Sequence, residues 1–184
     1  MNGPSEQPTV VLVGFMASGK SSVGLALARR TGWTLVDVDR DIEESTGQPI
    51  PDLFATRGEA WFRELEEERT SAALDLHGCV VVPGGGWAAA SRGLETLPAH
   101  VHSIWLRVSP EAAVARARQE GAGRPLLDEV EDPLARAREL LERREPHYRR
   151  AGLHLDTEGR TPVELADAIV SHVRRERTPT KNQT

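Results

Sequence analysis

Residues 14–21, Gly-Phe-Met-Ala-Ser-Gly-Lys-Ser, fit the spacing G-x-x-x-x-G-K-[ST], in which each residue type suits the holding of a polyphosphate. Gly14 and Gly19 let the backbone turn tightly and aim N–H groups at an anion, while Lys20 adds a mobile positive charge and Ser21 an oxygen for Mg2+. The chemistry this predicts is nucleoside-triphosphate binding. Its context agrees: the apolar run Val10–Val13 leads into the loop, and Val23, Ala26, Leu27 and Ala28 then recur at helical spacing up to a stop at Thr31-Gly32. The helix adds its positive end to the phosphate site.

Four further places carry chemistry-bearing residues. Asp37-Val38-Asp39 follows a second apolar run, and on an extended chain carboxylates at i and i+2 point to one side. One of them can serve a metal shell while the other reaches an acceptor; a solvated acidic loop or a helix cap is the plainer alternative. Pro83-Gly84-Gly85-Gly86 follows a third run, and consecutive glycines suit backbone that passes close to a ligand. Arg63 and Glu66 stand three apart in a helical segment, so the glutamate can hold the arginine as a ready fork for a carboxylate. The stretch 120–127 sets Arg124 in a glycine-hinged segment, the form of a lid that carries a positive charge.

These positions need a scaffold, and the pattern supplies one. Strands are predicted at Val10–Val13, Trp33–Val38, Cys79–Val82, Val101–Val108 and Leu153–Asp156, and a long helix over Gly58–His77 with Trp61, Leu65, Ala72 and Leu76 as its core stripe. Further helices start at Ser109-Pro110-Glu111 and at Thr161-Pro162-Val163-Glu164, the latter with a capping-box glutamate. The alternation implies an α/β fold, a three-layer α/β/α arrangement around a five-stranded parallel sheet, with sites beyond the carboxyl ends of the strands. One domain is expected over 9–176, with a lid near 119–130 and frayed polar ends at 1–8 and 177–184.

The chain has 184 residues, 39% hydrophobic and 28% charged, a globular balance, and its net charge of −5 offers no general attraction for nucleic acid or an anionic membrane. The arginine-rich run 136–150 is interleaved with Glu139, Glu142 and Glu145 and reads as a solvated helix face. No apolar run near the start is long enough to span a bilayer, and a cytoplasmic protein is expected. The single cysteine, Cys79, reads as a buried, reduced thiol. His100 and His102 read as half-buried strand residues without the partner spacing of a zinc site.

In combination these residues resemble the shikimate kinase family, small P-loop kinases of the nucleoside-monophosphate-kinase fold. The resemblance covers about residues 9–173. It rests on the loop Gly14–Ser21, Asp37-Val38-Asp39 with Ile42-Glu43 and Thr46-Gly47, Gly58-Glu59 with Phe62-Arg63 and Glu66, and the glycine triplet 84–86. Arg124-Pro125-Leu126-Leu127 and Arg143-Arg144-Glu145-Pro146 with Tyr148 complete it. It implies transfer of the ATP γ-phosphoryl group to shikimate, on the route to the aromatic amino acids, by a cytoplasmic monomer that needs Mg2+. It also implies roles. Asp39 would bind ring hydroxyls and act as base, Asp37 and Ser21 would belong to the Mg2+ shell, and Arg63 and Arg144 would clamp the substrate carboxylate. Glu66 would orient Arg63, and Gly84, Gly85 and Gly86 would line the acceptor. Gly14, Ala17, Ser18, Gly19, Lys20, Ser21 and Ser22 would hold ATP, Arg124 would close over its phosphates, and Arg116 or Arg118 would stack on adenine.

Three departures from the family pattern stand out: Pro83 before the glycines, Trp87 after them, and Ala17-Ser18 where glycine-alanine is more frequent. The first two bear on acceptor geometry and leave the fold untouched. A gluconate kinase or another small-metabolite kinase is the nearest rival reading, an ATP-binding regulatory protein the next.

Overall fold

In the computed structural model, which describes residues 7–90, 93–120 and 131–177, the central strands are buried end to end. β1 (Thr9–Val13) and β3 (Cys79–Val82) are continuous apolar runs because helices cover both of their faces. β2 (Thr34–Asp37), β4 (Val101–Arg107) and β5 (Leu153–Asp156) complete an all-parallel sheet in the order β2-β3-β1-β4-β5. The predicted strands are all present, each within a residue of its expected ends.

Period-two alternation divides β1 between two cores. Val10 and Leu12 face α1 (Lys20–Thr31) and α8 (Pro162–Arg177), sharing a cluster with Val23, Leu27, Leu165 and Ile169. Val11 and Val13 face the opposite layer, built from α2 (Val38–Thr46), α3 (Ile50–Arg57), α4 (Glu59–Leu74), α5 (Trp87–Ala90), α6 (Pro110–Glu120) and α7 (Pro133–Tyr148). Local signals fix the ends of several of these helices. Gly32 closes α1 in the left-handed region and donates to the Ala28 carbonyl, and Ser109 Oγ accepts from Ala112 at the start of α6. Thr161 and Glu164 form the expected reciprocal capping box on α8, with Thr161 N donating to Glu164 Oε2 at 2.7 Å and Glu164 N to Thr161 Oγ1 at 3.3 Å.

Two sequence expectations are corrected. β2 ends at Asp37 and helix α2 begins at Val38, so Asp37 and Asp39 do not share one side of an extended chain; Asp39 lies in the first turn of a helix. The chain turns there because Val38 and Ile42, four apart, are drawn into the core. The helix expected over Gly58–His77 spans Glu59–Leu74, and its buried stripe is Phe62, Glu66, Thr70, Ala73 and Leu74. Ala72 and Leu76 are exposed, and Trp61 and Leu65 are only partly buried. A hydrophobicity count misses this face because two of its members, Glu66 and Thr70, are polar.

Parallel pairing brings the carboxyl ends of β1, β2 and β3 to one edge: Asp37 lies opposite Val82, and Val11 opposite Val81. α1 then settles on the sheet through Gly24, where an added β-carbon would lie 2.9 Å from Val82 Cγ2 and 3.0 Å from Leu35 Cδ1. Gly24→Val therefore levers α1 off the sheet. It is expected to lower stability in urea by about 1–3 kcal/mol and, because α1 carries Lys20, to weaken ATP binding in the same protein.

Candidate active site

The phosphate loop is shaped for an anion before any ligand is considered. Gly14 takes φ 149°, and an added β-carbon there would lie 2.5 Å from the Leu106 carbonyl oxygen, so the loop can leave β1 beside β4 only with glycine at this position. Gly19 caps α1 with φ 87°; no side chain caps the helix and no acidic residue stands in its first turn, which leaves the first N–H groups and the positive helix end to a ligand. Lys20 Nζ donates to the carbonyls of Gly14 at 3.0 Å and Phe15 at 3.2 Å, across the loop it serves. Ser21 and Ser22 are exposed at the start of α1, and the Ser18 hydroxyl is buried in the loop without a protein partner. Ala17 is held at φ 55°, a left-handed conformation for a residue with a β-carbon and the place where the sequence departs from the commoner glycine.

Beside the loop lies a cluster of charges centred on Glu66, whose side chain is 1% exposed. Its Oε2 accepts from Arg63 Nη1 at 2.6 Å, and its Oε1 is buried without a protein donor. Glu59, one turn before Arg63, adds a weaker contact at 3.3 Å. The Arg63 guanidinium lies over Phe54 and Phe62, 5.7 and 5.3 Å from the ring centres. Burial opposes its charge, but Glu66 and Glu59 more than offset this and raise its pKa.

The glycine triplet passes between these parts. A β-carbon on Gly84 would lie 2.3 Å from Glu66 Oε1 and 2.9 Å from Asp39 Oδ1; on Gly86 it would lie 2.9 Å from both Arg63 nitrogens Nη1 and Nη2. Gly85 runs beside the phosphate loop, and its carbonyl accepts from the Tyr148 hydroxyl and, at 3.4 Å, from Arg144 Nη1. Arg144 reaches this point from α7 with its guanidinium over Phe15 at 6.0 Å. Burial raises the Tyr148 pKa to about 12, so the hydroxyl stays protonated and donating.

Asp39 faces this cluster from the first turn of α2. Burial raises its pKa to about 6, the charges of Glu66 and Asp37 push the same way, and Lys20 and Arg63 pull against them. The donors at hand for a divalent ion, the Ser21 hydroxyl and the Asp37 carboxylate, are hard oxygens of the kind Mg2+ prefers, and the crowding of Asp37, Asp39 and Glu66 favours a cation nearby.

The structure thus brings Lys20, Asp39, Arg63, Glu66, Arg144 and the three glycines together, with Asp37 at the margin. It also separates Arg116 from Arg118. Arg116 donates to the Ala17 carbonyl at 3.3 Å and to Thr157 Oγ1 at 3.0 Å, whereas Arg118 is exposed. Arg124 and residues 121–130 of the expected lid lie outside the described residues, as do 1–6 and 178–184 of the expected frayed ends. Trp87 and Pro83 are buried, and the Trp87 indole donates to Glu67 at 2.7 Å, on the helix that carries Arg63. Sequence reasoning assigned no role to Tyr148, Phe15, Phe54, Glu59 or Thr157. Tyr148 is the sole tyrosine and Glu59 stands one helical turn from Arg63, two signals that were there to be read; Thr157 gives none.

Comparison with known proteins agrees with this geometry. The shikimate kinase family model matches residues 16–174. A shikimate kinase of Moorella thermoacetica is 39% identical over 160 residues, 87% of this chain and 91% of that one. One of Thermus thermophilus is 40% identical over 167 residues, 91% of this chain and 90% of that one. Among solved structures, a shikimate kinase from Acinetobacter baumannii in complex with shikimate superposes with a TM-score of 0.84 at 32% identity, covering 92% of this chain and 94% of that one. No helix among the described residues is long and apolar enough to cross a membrane. With the phosphate loop, the braced arginine and the glycine triplet in one cleft, the chain belongs to the shikimate kinase family, ATP-dependent kinases that phosphorylate an alcohol.

Proposed function

We propose that Asp39 binds the acceptor and serves as its base, that Arg63 and Arg144 clamp the acceptor carboxylate, and that Lys20 and Arg124 neutralise the group in transfer. The observation that carries this reading is the Glu66–Arg63 pair set against Gly84 and Gly86, with Asp39 on one side and the phosphate loop on the other. As a shikimate kinase the chain transfers the γ-phosphoryl group of ATP to the 3-hydroxyl of shikimate, giving shikimate 3-phosphate and ADP.

In that step Asp39 takes the hydroxyl proton, the freed oxygen bonds to the γ-phosphorus, and the bond from phosphorus to the β–γ bridging oxygen breaks as ADP leaves. A carboxylate with a pKa of about 6 is a stronger base than an ordinary aspartate and is still ionised at neutral pH. Charge on the transferring group meets Lys20 and the first N–H groups of α1, with Gly14, Ala17, Ser18, Gly19, Ser21 and Ser22 around the phosphates. Ser21 and Asp37 would hold Mg2+, which when bound would neutralise phosphate charge. Gly84, Gly85 and Gly86 line the acceptor with backbone, and Glu66 keeps Arg63 aimed. Arg116, tied to the loop at Ala17, takes the adenine side in preference to the exposed Arg118. The role of Arg124 rests on the family resemblance. A cytoplasmic monomer is part of this proposal, and the buried thiol of Cys79 suits a reducing compartment.

A coupled assay with shikimate and gluconate side by side tests the reading, shikimate being phosphorylated and gluconate not. Arg63→Ala and Arg144→Ala each remove charge-assisted hydrogen bonds worth about 1.5–3 kcal/mol, so each raises the KM for shikimate roughly tenfold to a hundredfold. If both variants keep a normal shikimate KM, there is no clamp.

Asp39→Asn is expected to lower kcat by roughly a hundredfold or more with ATP affinity unchanged, while the parent enzyme gains activity as pH rises through about 6. Stability moves the other way. The folded protein holds the Asp39 proton more tightly than the unfolded chain does, so the stability this group contributes is full below 3.8 and is lost as pH rises through about 6. At pH 8 the asparagine variant should therefore resist urea better than the parent by on the order of 1–2 kcal/mol, and the gain should vanish at pH 4. A variant less stable than the parent at pH 8 contradicts the burial of this charge.

A further inference from the structure

At the end of β4 remote from the phosphate loop, His102 meets two residues of α8, His172 and Glu176, which stand one helical turn apart. Local spacing shows no partner for His102 because its partners lie seventy and more residues away. In the fold, His102 Nδ1 lies 2.7 Å from Glu176 Oε2, and His172 Nε2 lies 3.4 Å from Glu176 Oε1. The two imidazoles stand edge to face, 6.3 Å between centres, and the three ligand atoms lie within 4.8 Å of one another.

The position of the cluster follows from the core. Ile104 and Leu106 of β4 pack with Leu165, Ile169 and Val173 of α8, and His102 continues the β4 face by strand alternation. On α8, Leu165, Ile169, His172 and Glu176 succeed one another at intervals of four, three and four, so one helix stripe runs from apolar to ligating side chains. The histidine side chains are 14% and 16% exposed and that of Glu176 is 50% exposed. The set is thus walled by protein on the imidazole side and open to solvent on the carboxylate side.

We propose that His102, His172 and Glu176 form a zinc site that fastens α8 to β4, with a fourth position open to water. Two imidazoles and one carboxylate are a donor set that Zn2+ takes readily and Mg2+ does not. Tetrahedral Zn2+ with bonds of about 2.0–2.2 Å sets its donors about 3.3 Å apart. The two imidazoles now face different oxygens of Glu176, at 2.7 Å from Oε2 and 3.4 Å from Oε1, so closing on one ion asks for a small rotation of the half-exposed glutamate side chain. The site stands apart from the kinase cleft and its existence does not rest on the roles assigned there.

The test is titration of the full chain, free of any affinity tag and of nucleotide and with Mg2+ in excess, using Zn2+ by calorimetry and Co2+ by its visible absorption. The parent should bind one Zn2+ per chain, its Co2+ complex should show the intense bands of a four-coordinate ion, and Zn2+ should raise its unfolding temperature. His102→Gln and His172→Gln keep side-chain volume and polarity; each should weaken Zn2+ binding on the order of a hundredfold or more, abolish the bands and remove the thermal shift, leaving shikimate phosphorylation unchanged. A parent that binds no Zn2+ overturns the proposal and leaves a plain histidine–glutamate network. Binding that survives both substitutions overturns it as well, because the metal then sits elsewhere.

Discussion

The active cleft is organised by one costly object, the buried carboxylate of Glu66. A charge taken out of water needs a partner, and Arg63 at 2.6 Å provides it. Much of the neighbourhood follows from that pair. Gly84 has no side chain because Glu66 Oε1 and Asp39 occupy the space, and Gly86 has none because the Arg63 guanidinium does. Phe54 and Phe62 give the guanidinium an aromatic floor, which fixes its plane as well as its charge. Asp39 feels the negative charge of Glu66 on top of its own burial, and its pKa rises to about 6.

The sheet brings this cluster to the phosphates. The loop follows β1, Asp37 closes β2 and Pro83 follows β3, so parallel register alone puts the three at one edge. Gly24 lets α1 lie close on β3 and Leu35, which sets the height of Lys20 above that edge. From the other side, α7 delivers Arg144 and Tyr148 to the Gly85 carbonyl. Trp87, where a smaller residue is usual, is taken up by the protein interior with its indole on Glu67, so this departure braces α4, the helix that bears Arg63 and Glu66.

The phosphate loop, the strands, the Ser109 cap and the Thr161–Glu164 capping box were legible in the sequence because each is a local pattern with a local cause. The start of α2 was not: Asp37-Val38-Asp39 reads equally well as strand or as helix entry, and the burial of Val38 and Ile42 decided it. The inner face of α4 was hidden for a different reason. A polar buried stripe such as Glu66 and Thr70 looks like surface until the opposing glycines are known. Nor could spacing tell Arg116 from Arg118, since Thr157, which ties Arg116 down, follows β5 some forty residues on. The partners of His102 were out of reach by the same logic.

The central claim, that Glu66 holds Arg63 and loads Asp39, can be tested on Asp39 itself by following its carboxyl carbon in a pH titration by NMR, in the parent protein and in Glu66→Gln. The account predicts a midpoint of about 6 in the parent and a lower one in the variant, still above the ordinary 3.8 because burial remains. An Asp39 that titrates near 3.8 in the parent, or at the same pH in both proteins, would contradict it.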